Sequence, residues 1–164
     1  MPIEPVILHR TEQPYIGITQ TITMQTFDQA TAHIPQLFAW LDARGLAPDG
    51  PPFLKLNIID MERELQVEAG VPIADGTTPD DTVHCGTLPA GRYLALTTVG
   101  SPDEHIAGIA ALFDWADAQG LVLERSETDA GSKWAGRLEE LLTDPSLEPD
   151  PNKQEIQNLF LLVD

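Results

Sequence analysis

Among the side chains of this sequence that could take part in chemistry, the acids of residues 137–142 are the most informative. The run reads RLEELL. If it forms a strand, its two acids point to opposite faces, and Glu139 shares its face with Arg137 and Leu141. A carboxylate among apolar neighbours is costly unless it is paired, and a ligand cation would be a natural partner. The alternative is that the run is a helical turn or a solvated strand.

The other chemically active residue types do not form a recognisable site. Cys85 is the only cysteine, and a lone cysteine is more often a packing residue than a nucleophile. The sequence has no catalytic triad, phosphate-binding loop or cluster of metal ligands, so we expect no metal and no other cofactor. The four histidines are scattered and are expected to be structural or exposed: His9, His33, His84 and His105.

The net charge restricts the partners of the chain. It has 9 Lys and Arg against 26 Asp and Glu, a formal net charge of −17. Nucleic acids and anionic membrane surfaces are bound through Lys and Arg, so we expect neither as a direct partner. The acid excess serves either solubility or a field that attracts cationic or electron-poor small molecules.

Length and the N-terminal sequence favour a cytoplasmic protein of ordinary size. The 164 residues suit one domain with a sizeable core. No apolar run is long enough to span a bilayer, and the early acid and prolines are unlike a secretory signal or transit peptide. A single cysteine fits a reducing compartment.

A ten-residue pattern occurs twice in the chain. Residues 37–46 read LFAWLDARGL and residues 112–121 read LFDWADAQGL, with seven of ten positions identical at an offset of 75. The apolar residues around both copies recur at helical spacing and form one stripe, which predicts two amphipathic helices. Their tryptophans, Trp40 and Trp115, are expected to pack between helix and sheet.

Signals for the ends of helices flank both copies. Residues 26–29 and 101–104 fit the capping pattern S/T-x-x-E/Q, and Gly45 and Gly120 are placed to end the helices at positive φ. Pro35 is expected to divide the first copy into a short helix, a kink and a main helix.

Segments with the alternation and residue types of strands surround each helix. Residues 15–22 precede the first helix and residues 92–99 precede the second; the segments that follow are 53–59, 64–68, 121–124, 137–142 and 156–163. This order predicts an α+β fold built from a duplicated strand-helix-strand-strand module, about 1–75 and about 81–164, within a single domain of residues 1–164. We expect pseudo-twofold symmetry and an antiparallel sheet with the two main helices on one face.

Four groups of residues, in order along the chain, resemble a known family. They are IDME at 59–62 with VEAGVPI at 67–73, LPAGRY at 88–93, RLEELLTDP at 137–145 after Trp134, and EPDP at 148–151. Together they resemble the GyrI-like small-molecule-binding domain, which also serves as the effector-binding domain of AraC-type and MerR-type transcription regulators. The resemblance covers nearly the whole chain. It implies a groove between the modules that binds drug-like, often cationic and aromatic, compounds.

The resemblance also implies a set of site residues. The family's key acid lies in an E-x-Y-L-x-D-P pattern, in which Glu139 takes the place of the acid. If Leu138 and Leu142 pack under the helices, Glu139 points into the groove. The expected ligand-binding residues are Glu139, Tyr93, Trp134, Phe53, Leu56 and Leu141.

Two of these positions depart from the family pattern. Leu141 replaces the tyrosine that follows the acid, and Leu56 replaces a second pocket aromatic. Aromatic cages attract cations through their ring faces. The leucines therefore keep a hydrophobic lining but weaken the attraction for the multidrug cations that the family binds.

The sequence thus predicts a stand-alone protein that binds a drug-like, hydrophobic or cationic small molecule. Because some stand-alone relatives hydrolyse strained-ring (cyclopropanoid) toxins, the alternative is a hydrolase in which Glu139 is the general base and Trp134 or Tyr93 the aromatic platform. A lesser alternative is a protein-binding role like that of a gyrase inhibitor. Any part in transcription would require a protein partner, a regulator or gyrase.

Overall fold

The computed structural model describes residues 4–74, 78–144 and 147–163. Pro145, part of the C-terminal sequence motif, lies outside the described residues. The elements are β1 (Val6–Arg10), β2 (Gln13–Ile22), α1 (Phe27–Thr31), α2 (His33–Asp42), β3 (Phe53–Ile59), β4 (Leu65–Pro72), β5 (His84–Leu88), β6 (Gly91–Gly100), α3 (Pro102–Gln119), β7 (Arg125–Thr128), β8 (Gly131–Trp134), β9 (Arg137–Leu141) and β10 (Gln154–Leu161).

The strands form an antiparallel sheet, which confirms the predicted α+β class. Its main order is β1-β6-β10-β9-β3-β4-β2-β5, and the hairpin β7–β8 joins the sheet beside β3. β4 lies between β2 and β3, β10 lies between β6 and β9, and pairing of β3 with β9 joins the two halves. That the halves superpose about a twofold axis stays a prediction.

Side chains on the two faces of the sheet form separate apolar clusters. The helix face carries the cluster that includes Leu37 and Leu41 of α2, Leu112 and Ala116 of α3, and Val67, Leu94 and Phe160 of the sheet. The opposite face, here called the far face, carries Tyr15, Phe53, Leu88, Tyr93, Ala95, Leu138, Leu159 and Leu161. Both faces of the central strands are therefore apolar.

The sheet curls towards its far face. Two nitrogens of Arg10 on β1 donate to the carboxylate of Glu140 on β9, at 2.7 and 3.0 Å. β6 and β10 lie between these strands, and three strand spacings in a flat sheet would be about 14 Å. An arginine spans that gap only if the sheet bends, so the far face is the concave side of a half-barrel.

The predicted ends of the second helix are confirmed. The hydroxyl of Ser101 accepts a hydrogen bond from the backbone N–H of Glu104, and Pro102 is the first residue of α3. Gly120 follows the helix at φ 70°, a conformation that glycine adopts without steric cost.

The first helix divides, as expected, but not at the proline. α1 ends at Thr31 and α2 begins at His33, so Pro35 falls in the first turn of α2, where a missing N–H costs nothing. The capping expected at Thr26 does not form, because its hydroxyl accepts from the N–H of Thr23 instead (2.8 Å).

Some strand predictions were wrong. Residues 121–124 form no strand and contribute only the isolated bridge from Leu123 to Leu162. The hairpin β7–β8 follows them and was not predicted. β1 and β5 are further strands that the alternation did not reveal, since both are short and largely exposed.

Replacing Ser101 by alanine is expected to lower the free energy of unfolding by about 1 kcal/mol, because the first turn of α3 loses its side-chain acceptor. Chemical denaturation measures the change. Ser126→Ala, on the exposed strand β7, is the control and should change stability by less than about 0.5 kcal/mol.

Candidate functional site

The helix face of β10, β9 and β3 lies between the helices. α2 packs on β4 and β2, whereas α3 packs on β6, and the strand order places β10, β9 and β3 in the middle. We call this strip the groove floor. Its helix-face residues include Leu54, Leu56, Arg137, Glu139, Leu141 and Asn158.

The strand register places Glu139 on this floor. Glu139 pairs with Leu54 on one side and Asn158 on the other, and Leu54 belongs to the helix-face cluster. The condition that Leu138 and Leu142 pack under the helices is not met, however. Leu138 packs on the far face and Leu142 is exposed, so neither lies under the helices.

Glu139 is a half-buried acid with an altered protonation equilibrium. Burial raises the pKa of its carboxyl, and the positive charge of Arg137 partly offsets that rise. A carboxyl of this kind can hold a proton, and donate it, at a higher pH than an exposed glutamate.

Arg137, which the sequence analysis did not single out, is the second charged group of the floor. It is buried, and its guanidinium carbon lies 4.7 Å from the ring centroid of Trp134 and 5.0 Å from that of Phe160. Burial lowers its pKa to about 10, Glu139 opposes that change, and the neighbouring cation Arg125 adds to it. Arg137 is therefore still charged at neutral pH.

Three aromatic rings form one wall beside the floor. Trp134 packs against Phe113 of α3 and Phe160 of β10, with ring centroids 6.0 and 5.3 Å apart. Trp134 is buried in the helix-face core. Its indole N–H is nevertheless buried with no acceptor in the described part of the chain.

The sheet divides the six residues expected to line one groove. Glu139, Leu56, Leu141 and Trp134 are on the helix face, whereas Phe53 and Tyr93 are on the far face. The expectation of a single lining is corrected to the first four residues.

Tyr93 and Phe53 have partners of their own on the far face. The hydroxyl of Tyr93 donates to the carbonyl of Pro89 (2.7 Å), and burial raises its pKa to about 12. Phe53 packs edge-on against Tyr15, with ring centroids 5.3 Å apart. Neither side chain can touch a ligand that lies on Glu139.

Two shallow depressions occur on the surface near the helices. One of about 400 Å³ is lined by Phe38, Leu41, Leu46 and Pro48 at the end of α2, away from the groove floor. The other, of about 310 Å³, is lined by Phe113, Ala116, Leu121 and Arg125 among others. It borders the aromatic wall at the α3 side of the floor.

A polar cluster on the far face was also missed by the sequence analysis. The carboxylate of Glu68 accepts from the hydroxyl of Tyr15 and the amide of Asn57, both at 2.6 Å. Lys55 and His84 approach it to 3.7 and 3.1 Å. Strand alternation relates only residues of one strand, and the pairing of β2, β3, β4 and β5 is what brings all five residues together.

The described residues contain neither a group of metal ligands nor a membrane-spanning helix. Residues 4–74, 78–144 and 147–163 contain no group of three or more His, Cys, Asp or Glu side chains arranged to hold a metal ion. No helix in the same ranges is long and apolar enough to cross a membrane.

Removal of the Glu139 charge is expected to stabilise the fold in a pH-dependent way. The native pKa is raised above 4.5, so above that pH the native state binds more protons than the unfolded state, and the contribution of this group to stability falls as pH rises. Glu139→Gln should match the wild type near pH 4 and be more stable than the wild type at neutral pH. Urea denaturation from pH 4 to 8 measures this difference.

Glu155→Gln is the matched control for this experiment. Glu155 is half-buried on β10, and within the described residues its side chain has no ion pair. Glu140 is unsuitable because it is bound to Arg10. Equal pH dependence in the two variants would contradict an enclosed carboxyl at Glu139.

Comparisons with known proteins agree with this architecture. The family described as the GyrI-like small molecule binding domain matches residues 3–130. No curated protein sequence matches the chain significantly.

Solved structures share the fold at low sequence identity. The C-terminal domain of EcmrR is 14% identical with a TM-score of 0.78, over 100% of this chain and 99% of that one. In the EcmrR–DNA complex, this chain covers 57% of the EcmrR chain and is itself 97% covered, again at 14% identity and TM-score 0.78.

Two further structures resemble the chain in fold. A hydrolase from Listeria innocua is 15% identical with a TM-score of 0.65, over 98% of this chain and 92% of that one. SAV2435 bound to tetraphenylphosphonium is 13% identical with a TM-score of 0.59, over 98% of this chain and 94% of that one. At these identities the likeness shows the fold alone.

Proposed function

We propose, since the chain belongs to the family of GyrI-like small-molecule-binding domains, that it binds a hydrophobic small molecule on the groove floor between α2 and α3. The residues that we assign to the ligand are Glu139, Leu56, Leu141 and Trp134. The observation that carries the proposal is the half-buried carboxyl of Glu139, which lies beside Leu54 and Leu141 on the strip between the two helices. A polar group in such a place is costly unless it serves a partner.

Of the two ligand classes expected from the sequence, hydrophobic compounds fit this floor better than cations. Arg137 lies on the same face as Glu139 and carries a positive charge. The leucines at 56 and 141 offer apolar area without the ring faces that attract cations. The tetraphenylphosphonium in the SAV2435 structure is thus not the ligand type that we assign here.

Direct binding of nucleic acid is not part of the proposal. EcmrR forms a DNA complex, but this chain matches only part of EcmrR, and its net charge of −17 would repel a phosphate backbone. Any role in transcription would therefore not depend on DNA contacts made by these 164 residues.

The test uses the neutral fluorescent probe N-phenyl-1-naphthylamine. We expect the wild type to bind it and Leu141→Asp to bind it at least tenfold more weakly, because a carboxylate would then face the apolar ligand; a tenfold loss is about 1.4 kcal/mol. Leu141 is half-buried at the end of β9, so the variant should fold. Fluorescence titration gives both dissociation constants.

Leu142→Asp is the matched control. Leu142 is the adjacent residue, is 39% exposed and points to the opposite side of the chain. Its variant should bind the probe like the wild type. Equal losses in the two variants, or no binding by the wild type, would overturn the assigned site.

A hydrolase of strained-ring electrophiles is the second candidate. The raised pKa of Glu139 favours it, because a general acid or base works best when its pKa is near the working pH. Trp134 can serve as the aromatic platform, whereas Tyr93 cannot, since it lies on the far face. We expect mass spectrometry to show hydrolysis of a cyclopropane-containing alkylator by the wild type and at least tenfold less by Glu139→Gln. Equal rates with and without the protein would exclude this function.

A further inference from the structure

The surroundings of Arg137 are unusual for a buried cation. The residue is 6% exposed, and its guanidinium carbon lies within 4.7 to 5.7 Å of the ring centroids of Trp134, Phe160 and Phe113. A buried charge is normally paired with an opposite charge, because removal from water is expensive. The guanidinium of Arg137 is instead surrounded by three aromatic rings.

The rings satisfy only part of this side chain. Ring faces attract the positive charge, but the five N–H groups of a guanidinium point outward in its plane and need acceptors. Within residues 4–74, 78–144 and 147–163, Arg137 has neither a side-chain hydrogen bond nor an ion pair. Glu139 attracts it electrostatically but does not come within ion-pair distance.

A second donor beside Arg137 also lacks an acceptor. The indole N–H of Trp134 is buried and has no partner in the described residues, although most buried polar groups in proteins are hydrogen-bonded. The two donors are neighbours, since the guanidinium lies 4.7 Å from the ring that carries this N–H. Of these two neighbouring donors, the indole N–H is buried without an acceptor, and the guanidinium has no side-chain hydrogen bond in the described chain. An acceptor at this place could serve both.

We propose that this end of the groove floor binds the carboxylate of an aromatic carboxylic acid, an inference that rests on the proposed function and specifies the ligand class of the same site. The planar carboxylate matches the fork of the Arg137 guanidinium and takes a further hydrogen bond from Trp134. The ligand ring lies along the apolar floor towards Leu56. Arg125, which is exposed and lies 5.2 Å from the Trp134 ring centroid, adds positive charge at the α3 side.

The assignment reverses the role that Glu139 would have in a cation site. Next to an anionic ligand, the Glu139 carboxyl is best protonated, and its raised pKa favours that form. Glu139→Gln is then expected to strengthen binding of a carboxylate, because Gln keeps the donor and removes the competing charge. A cation site predicts the opposite sign.

Three probes of nearly equal shape test the inference: 2-naphthoate, 2-naphthamide and 2-naphthylmethylammonium. Calorimetry at pH 7 should give wild-type affinity for naphthoate at least tenfold above that for the other two. Arg137→Met should lower naphthoate affinity at least tenfold and leave naphthamide unchanged, and Trp134→Phe should weaken naphthoate severalfold. Replacing a buried charge by an apolar residue of similar length is often neutral or stabilising, so Arg137→Met is expected to fold.

Lys133→Met is the control for loss of one positive charge. Lys133 is exposed on β8, next to Trp134 in sequence, and its variant should bind all three probes like the wild type. A naphthoate affinity insensitive to Arg137→Met would overturn the inference. So would stronger binding of the ammonium probe, or weaker naphthoate binding by Glu139→Gln.

The two proposals fail in different ways. N-phenyl-1-naphthylamine could bind the wild type and not Leu141→Asp, while naphthoate does not bind up to millimolar concentration. That result would support the ligand site in the groove and contradict the assignment of a carboxylate ligand. If neither compound binds, both proposals fall together.

Discussion

Replacing Glu68 by alanine is expected to lower the free energy of unfolding by about 3 to 5 kcal/mol, the usual cost of breaking a buried charge cluster from one side. Glu68 is 6% exposed and accepts from Tyr15 and Asn57. Its removal leaves the hydroxyl and the amide without an acceptor, and it leaves Lys55 without its nearest negative charge. Urea denaturation at pH 7 measures the loss.

The pH dependence of the stability of Glu68→Ala identifies how much of the lost free energy of unfolding is due to Lys55. Burial already lowers the pKa of Lys55, while Glu68 opposes that change, so the pKa should fall further in the variant. The unfolded state then binds more protons than the native state at pH values between that lowered pKa and 10.5, and stability rises with pH across this window. The deficit of Glu68→Ala relative to the wild type should therefore shrink as pH is raised from 7 towards 10.

Two further variants separate charge from packing. Lys55→Met in the Glu68→Ala background should recover part of the loss, because it removes the unpaired cation. Glu155→Ala should cost less than about 0.5 kcal/mol. A loss in Glu68→Ala no larger than that of Glu155→Ala would show that the cluster contributes nothing to stability.

The parts of the fold that sequence predicted were set by local signals. The cap at Ser101 and the glycine at 120 fix both ends of α3 without help from the rest of the chain. β2 and β6 likewise follow from their own alternation. The cap predicted at Thr26 does not form, because the Thr26 hydroxyl accepts a hydrogen bond from the backbone N–H of Thr23 instead. A local sequence pattern does not predict a cap when another donor competes for the same hydroxyl.

The candidate site was predicted less well because both faces of the sheet are apolar. Alternation shows that Glu139 and Leu138 point in opposite directions, but it does not show which face the helices cover. Glu139 was assigned to the groove on the condition that Leu138 packs under the helices, but Leu138 lies on the concave side instead. For the same reason Tyr93 and Phe53 were predicted to line the groove, although they lie on the opposite face of the sheet.

Contacts between residues far apart in sequence could not be predicted, for another reason. Arg10 and Glu140 are 130 residues apart and meet only because the sheet curls. The approach of Arg137 to Phe113 and Phe160 depends on the register of β9 with β10 and on the position of α3. No local pattern in the sequence encodes either distance.

Phe160→Ala is expected to lower the free energy of unfolding by about 3 to 5 kcal/mol, because it removes a fully buried ring and leaves a cavity. The side chain is 0% exposed and lies between Phe113 and Trp134, with centroid distances of 5.1 and 5.3 Å. A change of this size in a chain of this length corresponds to a fall of roughly 10 °C in Tm. Calorimetry measures it directly.

Phe160→Leu separates the volume of the ring from its attraction for Arg137. Leucine keeps most of the apolar volume, so the loss should be under about 1.5 kcal/mol. Because the guanidinium carbon of Arg137 lies 5.0 Å from this ring, a double-mutant cycle of Phe160→Leu with Arg137→Met should give a coupling energy of about 0.5 to 2 kcal/mol. A coupling near zero would mean that the Phe160 ring does not hold the guanidinium. The remaining partners of Arg137 would then be the rings of Trp134 and Phe113 and the electrostatic attraction of Glu139.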